Sequence, residues 1–203
     1  MALDKLLDQY EFLPDRSPTK EQVKSKIEKR IPKRFLDADL VNTSKKIQEY
    51  SAKYSRENTK GFYLYGSIGT GKTYSVCALA IDLLIQGYDV IFYNLPRLLN
   101  IIRSSYIKTD SISVLSYDNA NIEKLIDVEI LIIDDIGAEK TTDWVAETLY
   151  HLINTRYENM KTTIFTSNLD MSSLADKVGD RIVSRIAEMS EIYEIEGSDR
   201  RLL

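Results

Sequence analysis

The chain has 203 residues, of which 43% are hydrophobic and 29% are charged, and its formal net charge is −4. That length suits one α/β domain with a short extension, and the single cysteine (Cys77) and single histidine (His151) exclude a disulfide framework and a Cys/His zinc cluster. No apolar run approaches the ~18 residues of a membrane span, so we expect a cytoplasmic protein with no membrane partner.

Residues 1–34 predict an N-terminal arm or linker rather than an independent domain. A short amphipathic helix is indicated over residues 1–16, and Ser17 and Pro18 predict the N-cap and first position of a helix that reaches about Arg30. The apolar stripe of this second helix is thin, so the arm is too polar to bury a core alone. We therefore expect the arm to dock on something, and a partner protein is one possibility.

The charge of the chain is unevenly placed. The first 60 residues carry a net positive charge and the remainder carries a net negative charge, and most of the basic excess lies in residues 20–34. A basic arm before an acidic core indicates nucleic acid or an acidic protein as a partner. A solvated helix face explains the same pattern equally well.

From Phe35 onward, helical and strand patterns alternate. The predicted strands cover residues 62–65, 89–93, 129–133, 161–166 and 192–195, and the predicted helices cover residues 42–56, 72–86, 96–103, 119–127, 142–158 and 178–188. Residues 104–118 are predicted to be irregular. The run 129–133 is apolar without alternation, which is typical of a parallel strand buried on both faces. The alternation predicts a doubly wound parallel sheet, whose ligands bind at the carboxyl ends of the strands.

A glycine-rich turn between the first strand of this region and the next helix fits the pattern G-x-x-x-x-G-K-[ST] at every fixed position. In such a turn the backbone wraps around a polyphosphate, the lysine reaches the β- and γ-phosphates, and the threonine hydroxyl binds Mg²⁺. The predicted nucleotide-binding residues are Gly66, Ser67, Ile68, Gly69, Thr70, Gly71, Lys72, Thr73 and Tyr74. The sequence therefore predicts a nucleoside triphosphate site with Mg²⁺, in which Thr73 is a metal ligand and Lys72 also acts in catalysis.

Two carboxylates, Asp134 and Asp135, follow the predicted buried strand about 60 residues after this turn. The arrangement is typical of a Walker B motif, in which Asp134 holds Mg²⁺ through water and Asp135 orients and deprotonates the attacking water. The alternative for Asp135 is a cap on the following turn. An aspartate reaches one methylene less far than a glutamate, so we expect slow hydrolysis.

Further polar residues follow the next predicted strand. Asn168 ends the tripeptide that begins at Thr166, where it can position water and sense phosphate loss, although the same residue types make ordinary turns. Arg181 and Arg185 are four apart and therefore lie on one helix face. In ring-forming ATPases an arginine at this place enters the neighbouring subunit's site. The alternative is a salt-bridged surface pair.

These motifs closely resemble the AAA+ ATPases that load the bacterial replicative helicase, the DnaC/DnaI type, with IstB-like relatives. The most specific of them is the string Asp-Asp-Ile-Gly-Ala-Glu, and the phosphate-binding turn alone is generic. The segments that carry the resemblance are residues 31–35, 66–73, 131–139, 165–168, 181–185 and 196–201.

The resemblance implies a P-loop AAA+ domain over residues 35–203, a three-layer α/β/α fold with a five-stranded, mostly parallel sheet and a short or minimal C-terminal lid. It identifies Asp134 and Asp135 as Walker B and Asn168 as sensor 1. It also implies that Arg185, with Arg181 beside it, is the arginine finger. By the same resemblance Arg200 or Arg201 is an arginine of the sensor 2 type near the γ-phosphate.

The function implied by the resemblance is that of an ATP-dependent helicase loader with slow, partner-stimulated hydrolysis. Its expected partners are a hexameric replicative helicase, single-stranded DNA and further copies of itself in an open spiral or ring. DNA contacts are expected from Arg97, Arg103 and Lys108, with Tyr106 available for stacking. Such loaders usually carry a larger N-terminal domain, often zinc-binding, whereas this chain has some 34 residues there.

Three other functions remain open from the sequence. The helper ATPase of IS21-type transposition has nearly the same core, but that group usually carries Asp-Glu at Walker B. A nucleotide-gated DNA-binding adaptor with negligible turnover is compatible with the Asp-Asp pair. A small-molecule P-loop kinase explains neither the paired arginines nor Asn168.

Overall fold

The computed structural model describes residues 2–10, 18–107, 122–197 and 199. Its five strands form one sheet in the order β2-β3-β4-β1-β5, and every neighbouring pair is parallel. The strands are β1 (Gly61–Tyr65), β2 (Val90–Asn94), β3 (Ile130–Asp134), β4 (Thr162–Ser167) and β5 (Ser190–Glu194). The predicted five-stranded sheet is confirmed, and it is parallel throughout.

Helices cover both faces of this sheet. They are α1 (Ala2–Leu7), α2 (Lys20–Arg30), α3 (Lys45–Lys53), α4 (Lys72–Ile85), α5 (Leu95–Ile107), α6 (Ile122–Asp127), α7 (Asp143–Glu158), α8 (Met171–Val178) and α9 (Asp180–Met189), with 3₁₀ turns at Lys33–Phe35 and Leu40–Asn42. None of the helices in the described part of the chain is both long and apolar enough to cross a membrane.

The core consists of two apolar clusters, one on each face of the sheet. One contains the buried face of α4 together with side chains from α1 to α3, and the other contains the buried faces of α5, α7 and α9. Every residue of β3 is buried, as its unalternated apolar pattern predicts. The result is the predicted three-layer α/β/α arrangement, which brings the carboxyl ends of β1, β3 and β4 together at one edge.

The N-terminal helices pack on the α4 face of the sheet. Leu7, Val23 and Ile27 are fully buried in the same cluster as α4. The Tyr10 hydroxyl donates a 2.8 Å hydrogen bond to Asp82 of α4. The arm therefore contacts the rest of this chain through its apolar stripe, and its role in docking a partner stays a prediction.

In the N-terminal part of the chain, two helix starts differ from the sequence prediction. The helix predicted to be capped by Ser17 begins at Lys20, and its N-cap is Thr19, which forms a reciprocal capping box with Gln22; Ser17 lies outside the described residues. The helix predicted to start at residue 42 begins at Lys45, because the preceding residues form a 3₁₀ turn.

Two further segments also differ. The predicted helix 178–188 is preceded by an unpredicted one, α8, and the two are separated by Gly179, whose φ of 93° interrupts the helical backbone. In the predicted irregular segment 104–118, residues up to Ile107 continue α5, and the remainder lies outside the described residues.

Candidate active site

A cavity of about 640 Å³ opens at the carboxyl edge of the sheet. Its walls come from the segment before α3, the phosphate-binding turn, the start of α4 and the ends of β3 and β4. The residues that line it are Arg34, Phe35, Asn42, Ile68, Gly69, Gly71, Lys72, Thr73, Tyr74, Asp135, Thr166 and Asn168. The structure thus brings together residues that are up to 134 positions apart in the sequence.

The phosphate-binding turn connects β1 to α4 and depends on its glycines. Gly69 and Gly71 have φ values of 82° and 96°, in the left-handed region that favours glycine. A Cβ atom on Gly66 would lie 2.3 Å from the carbonyl oxygen of Ile195, so the turn also passes close to the chain after β5. The first N–H groups of α4 lie at the end of this turn, where they favour an anion.

Lys72, the first residue of α4, is folded back over the turn. Its ammonium group donates hydrogen bonds of 2.8 Å to the carbonyl oxygens of Gly66 and Ser67, and the residue is only 7% exposed. These bonds hold the cation inside the loop that the sequence predicts to enclose phosphate. An ammonium group at this place can exchange these bonds for anionic oxygens while remaining near the loop.

Asp134 lies just behind the cavity wall, between Thr73 and Thr166. The Thr73 hydroxyl is 3.0 and 3.2 Å from the two carboxylate oxygens, and the Thr166 hydroxyl donates a 2.6 Å hydrogen bond to one of them. Burial raises the pKa of the Asp134 carboxyl, and these hydrogen bonds oppose that rise. Carboxylate and hydroxyl oxygens are the ligands that Mg²⁺ prefers, so this donor set fits the predicted metal.

Asp135 faces the cavity from an unusual backbone conformation. Its φ is 63°, in the left-handed region that aspartate tolerates better than most residues. The Asn168 amide donates a 3.1 Å hydrogen bond to its carboxylate. The side chain therefore pairs with the predicted sensor asparagine, and no hydrogen bond within the described residues makes it a cap on the following turn.

Thr166 is a site residue that the sequence interpretation did not assign. Its hydroxyl donates to the Asp134 carboxylate and accepts the Asp135 N–H at 2.9 Å, so one side chain connects both acidic residues. The parallel register pairs Ile133 with Phe165, which places Thr166 beside Asp134. Thr166 belongs to the tripeptide singled out in the sequence, but its role depends on β3 and β4 being neighbours.

The segment before α3 supplies another unassigned wall. Arg34, Phe35 and Asn42 line the cavity, and the Tyr74 hydroxyl of α4 accepts a 3.1 Å hydrogen bond from the Asp39 N–H, which ties the segment to α4. The sequence signal for this wall was the 31–35 string, to which only a family resemblance was attached. An aromatic ring beside polar groups suits a nucleotide base.

The paired arginines lie elsewhere, on α9. Arg181 and Arg185 line a separate recess of about 380 Å³ with Tyr150. The Arg185 guanidinium donates to Asn154 at 3.1 Å and forms a 3.3 Å ion pair with Glu188. Neither arginine is among the residues that line the cavity of its own chain.

The remaining predicted residues divide between described and undescribed parts of the chain. The guanidinium groups of Arg97 and Arg103 lie over the rings of Tyr93 and Trp144, at 5.3 and 4.5 Å from the ring centres. The predicted sensor 2 arginines, Arg200 and Arg201, lie outside the described residues, as do Lys108 and the side chain of Tyr106.

Known proteins share both the sequence pattern and the fold. The family model described as "IstB-like ATP binding protein" matches residues 4–203. The replicative helicase loader DnaI of Bacillus subtilis is 28% identical over 158 residues, which cover 70% of this chain and 48% of DnaI. The chain spans about half the length of the curated relatives it matches.

Two solved structures are similar over most of the chain. A crystal structure of the DnaC helicase loader has a TM-score of 0.70 at 25% identity and covers 81% of this chain and 100% of its own. A crystal structure of DnaI has a TM-score of 0.67 at 26% identity and covers 84% and 94%. These similarities confirm the predicted AAA+ fold, whereas the predicted short C-terminal lid stays a prediction.

Proposed function

Because the chain belongs to the IstB-like ATP-binding protein family, we propose that it is a Mg²⁺-dependent ATPase that assembles on, or delivers, a hexameric replicative helicase. The proposal has three parts: ATP hydrolysis at the cavity, completion of that site by a second copy, and contact with a helicase and single-stranded DNA. The observation that carries it is the meeting of Asp135 and Asn168 with the phosphate-binding turn around one cavity.

In the proposed complex, ATP is held by the turn from Gly66 to Thr73, with its base against the wall that contains Phe35 and Asn42. Lys72 binds the β- and γ-phosphates, and Thr73 and Asp134 hold Mg²⁺, which supplies positive charge to the phosphate oxygens. Hydrolysis breaks the bond between the γ-phosphorus and the oxygen that bridges it to the β-phosphate.

Asp135 is the proposed general base. Its carboxylate, held by Asn168, orients a water molecule and accepts a proton from it as the water oxygen attacks the γ-phosphorus. The bond from that phosphorus to the leaving oxygen breaks, and the products are ADP and inorganic phosphate. The left-handed backbone at Asp135 directs this side chain into the cavity, beside the residue proposed to sense loss of phosphate.

Arg185 is proposed to complete the site of a neighbouring copy. It projects from α9, where Asn154 and Glu188 fix its orientation and its side chain stays 34% exposed. A guanidinium on the outside of the subunit, away from its own cavity, suits an arginine that reaches the next subunit. Arg181, one helical turn away, is the alternative finger.

The helicase and DNA parts of the proposal rest on the similar proteins. DnaI and DnaC are named as replicative helicase loaders, and this chain shares their fold and its motifs resemble theirs. The arm formed by residues 1–34 is the proposed helicase contact. Arg103 of α5 is a proposed contact to single-stranded DNA.

The test is ATP-dependent co-elution with the hexameric helicase of the native host, with ATP hydrolysis measured in parallel. We expect the chain to co-elute with the helicase when ATP is present. We also expect single-stranded DNA to stimulate ATP hydrolysis. Lys72→Ala should lose both activities, whereas Arg185→Ala should keep ATP affinity and lose stimulated hydrolysis and assembly. Loss of ATP binding in Arg185→Ala would contradict a role in the neighbouring site.

A second candidate function is the helper ATPase of IS21-type transposition, which the description of the matching family favours. It predicts ATP-dependent association with a transposase and no co-elution with the helicase. A weakly hydrolysing, nucleotide-gated DNA-binding adaptor is separated from both by turnover that stays negligible with DNA and partner present.

A further inference from the structure

A groove of about 300 Å³ lies between α2 and the outer edge of β2. Five cationic side chains line it, and they are Lys26, Lys29, Arg30, Arg97 and Lys124. The described residues that line the groove include no acidic side chain. In a chain whose net charge is −4, this is a local positive field that suits an anionic partner.

The floor of the groove is the outer edge of β2, where Phe92 is 6% exposed. β2 is the outermost strand and pairs with β3 on one side. The Ile130 N–H bonds the Asp89 carbonyl, and because the bonding direction alternates along a strand, the backbone groups of Val90 and Phe92 face away from β3. Arg30 already donates to the Val90 carbonyl at 2.7 Å. On this side the N–H and C=O of Phe92 bond no other described residue.

The cations above this edge are not equally available. Arg30 is committed to a 2.6 Å ion pair with Asp89. Lys26 of α2 and Lys124 of α6 are exposed and form no ion pair with any residue of the described segments. The groove therefore offers backbone bonding groups at its floor and uncommitted positive charge on two different elements.

We propose that this groove docks an extended, acidic peptide segment of a partner protein. The peptide adds a strand to the edge of β2 through the backbone groups of Phe92, and its carboxylates pair with Lys26 and Lys124. Main-chain hydrogen bonds and charge-assisted pairs together are the usual means by which an open sheet edge binds a peptide.

The floor of the groove favours a peptide over the backbone of a nucleic acid. A phosphodiester offers acceptor oxygens alone, so it cannot donate to the Phe92 carbonyl, whereas a peptide supplies both a donor and an acceptor. The Arg97 guanidinium already covers one face of the Tyr93 ring, at 5.3 Å, which removes that face as a stacking surface for a base.

The same lysines have a second physical explanation. Charged side chains, lysine above all, protect open strand edges from pairing with other chains. Under that explanation the groove has no ligand, and extended peptides are repelled or ignored whatever their charge. The two explanations differ in a measurable way, because only docking predicts saturable binding of an acidic strand.

The experiment is an amide NMR titration of the full chain with a short peptide that alternates glutamate and valine. We expect saturable shifts centred on the Phe92 amide. The double substitution Lys26→Glu/Lys124→Glu should weaken binding by about tenfold, from the loss of two exposed charge pairs. The control Lys53→Glu/Lys60→Glu changes the charge equally at two exposed lysines outside the groove, and it should bind as the parent does.

Two further probes complete the test. A peptide of the same sequence that is N-methylated at alternate residues should fail to bind, because it cannot form the strand ladder. A short oligothymidylate that shifts the same amides with the same lysine dependence, while the peptide does not, would replace the proposal with a nucleic-acid site.

Absence of any shift at millimolar peptide would overturn the proposal in favour of edge protection. ATP affinity, measured on every variant, should equal that of the parent. Failure of the groove and failure of the proposed ATPase are therefore distinguishable.

Discussion

The sheet buries a negative and a positive side chain at opposite ends of the same two strands. Asp134 lies at the carboxyl ends of β3 and β4 and is 6% exposed, whereas Arg156 of α7 lies near their amino ends and is fully buried. Both residues are thus largely removed from water. Their surroundings differ in what each leaves available to a ligand.

Arg156 is bound entirely by its own chain. Its guanidinium donates hydrogen bonds to the carbonyl oxygens of Leu125, Ile126, Val128 and Thr162, at 2.5 to 3.0 Å, and to the Thr163 hydroxyl at 2.9 Å. Burial lowers the pKa of Arg156 to about 9, so the group remains charged at neutral pH. These carbonyl oxygens belong to α6, to the chain immediately after it and to β4. The single guanidinium of Arg156 therefore holds these segments together.

Asp134, by contrast, is bound by hydroxyl groups that can change partner. Thr73 and Thr166 both line the cavity and both contact the carboxylate. A hydroxyl can rotate to turn its oxygen toward a metal ion, whereas the direction of a backbone carbonyl is fixed by the chain. Burial alone therefore does not indicate function; the distinguishing feature is a set of ligands that opens on a cavity.

The largest effect on stability is expected at Arg156, whose guanidinium is bonded only by its own chain. Arg156→Met removes every one of these donors and leaves several carbonyl oxygens buried without partners, so we expect a loss of about 4 kcal/mol in the free energy of unfolding. Urea denaturation at neutral pH measures it. Arg156→Lys keeps the charge but reaches fewer carbonyls. Its free energy of unfolding should therefore lie between those of the parent and Arg156→Met.

The ATP affinity of the folded Arg156→Met protein should equal that of the parent, because Arg156 does not line the cavity. A loss of stability below about 1 kcal/mol would mean that water bonds the carbonyl oxygens in the variant. The interpretation of Arg156 as a structural residue sealed from water would then be wrong.

A pair of isosteric substitutions on β4 compares the two ends directly. Thr163→Val removes the hydroxyl that accepts the Arg156 Nε–H, and Thr166→Val removes the hydroxyl shared by Asp134 and Asp135. Each leaves a buried polar group without a partner, so each should cost about 1–2 kcal/mol in unfolding free energy.

Only Thr166→Val should also weaken Mg²⁺-dependent ATP binding, as measured by titration of a fluorescent ATP analogue with and without Mg²⁺. Equal nucleotide affinity in the two variants would show that the hydroxyl of Thr166 serves packing alone.

Asp134→Asn is expected to act in the opposite sense on stability. Because burial raises the pKa of Asp134, the charged form costs free energy at neutral pH, so the neutral amide should stabilise the fold while Mg²⁺-dependent ATP binding is lost.

The pH dependence follows from the same shift. In the folded parent the Asp134 carboxyl takes up its proton at a pH above its ordinary pKa of 3.8. The stability of the parent relative to Asp134→Asn should therefore rise as the pH falls through the raised pKa. Urea unfolding of both proteins across the acidic range measures the difference. A constant difference would contradict the raised pKa.

Local patterns in the sequence were sufficient to predict the strands and helices and to single out those cavity residues that lie within one segment. The glycine-rich turn, the predicted Walker B aspartates and the alternation of strands and helices are all patterns of spacing over a few residues. The error at α2 was also local, since Thr19 and Gln22 form a capping box that competes with Ser17 and Pro18 as a start signal.

The parts that could not be predicted depend on which strands are neighbours. In the sequence, Arg156 is an ordinary cation near the end of an amphipathic helix, and its burial follows only from the packing of α6 and α7 against β3 and β4. Thr166 becomes a partner of both acidic residues because those two strands pair in a particular register. Phe35 reaches the cavity because Tyr74 ties the preceding segment to α4.

The smallest effect on stability is expected at the other member of the acidic pair. The left-handed backbone of Asp135, with φ of 63°, suits aspartate better than glutamate, so Asp135→Glu should cost about 1 kcal/mol or less. The longer side chain should nevertheless raise basal ATP turnover, because it reaches one methylene farther toward the attacking water.

Asp135→Asn is the matched control, since asparagine tolerates the same backbone and can still bond Asn168. It should retain ATP binding and lose hydrolysis, because an amide cannot accept the proton. Steady-state hydrolysis of the three proteins provides the measurement. An unchanged rate of ATP hydrolysis in Asp135→Glu would show that the length of the Asp135 side chain does not limit turnover. Slow turnover would then be attributed to the absence of the arginine that a neighbouring subunit is proposed to contribute.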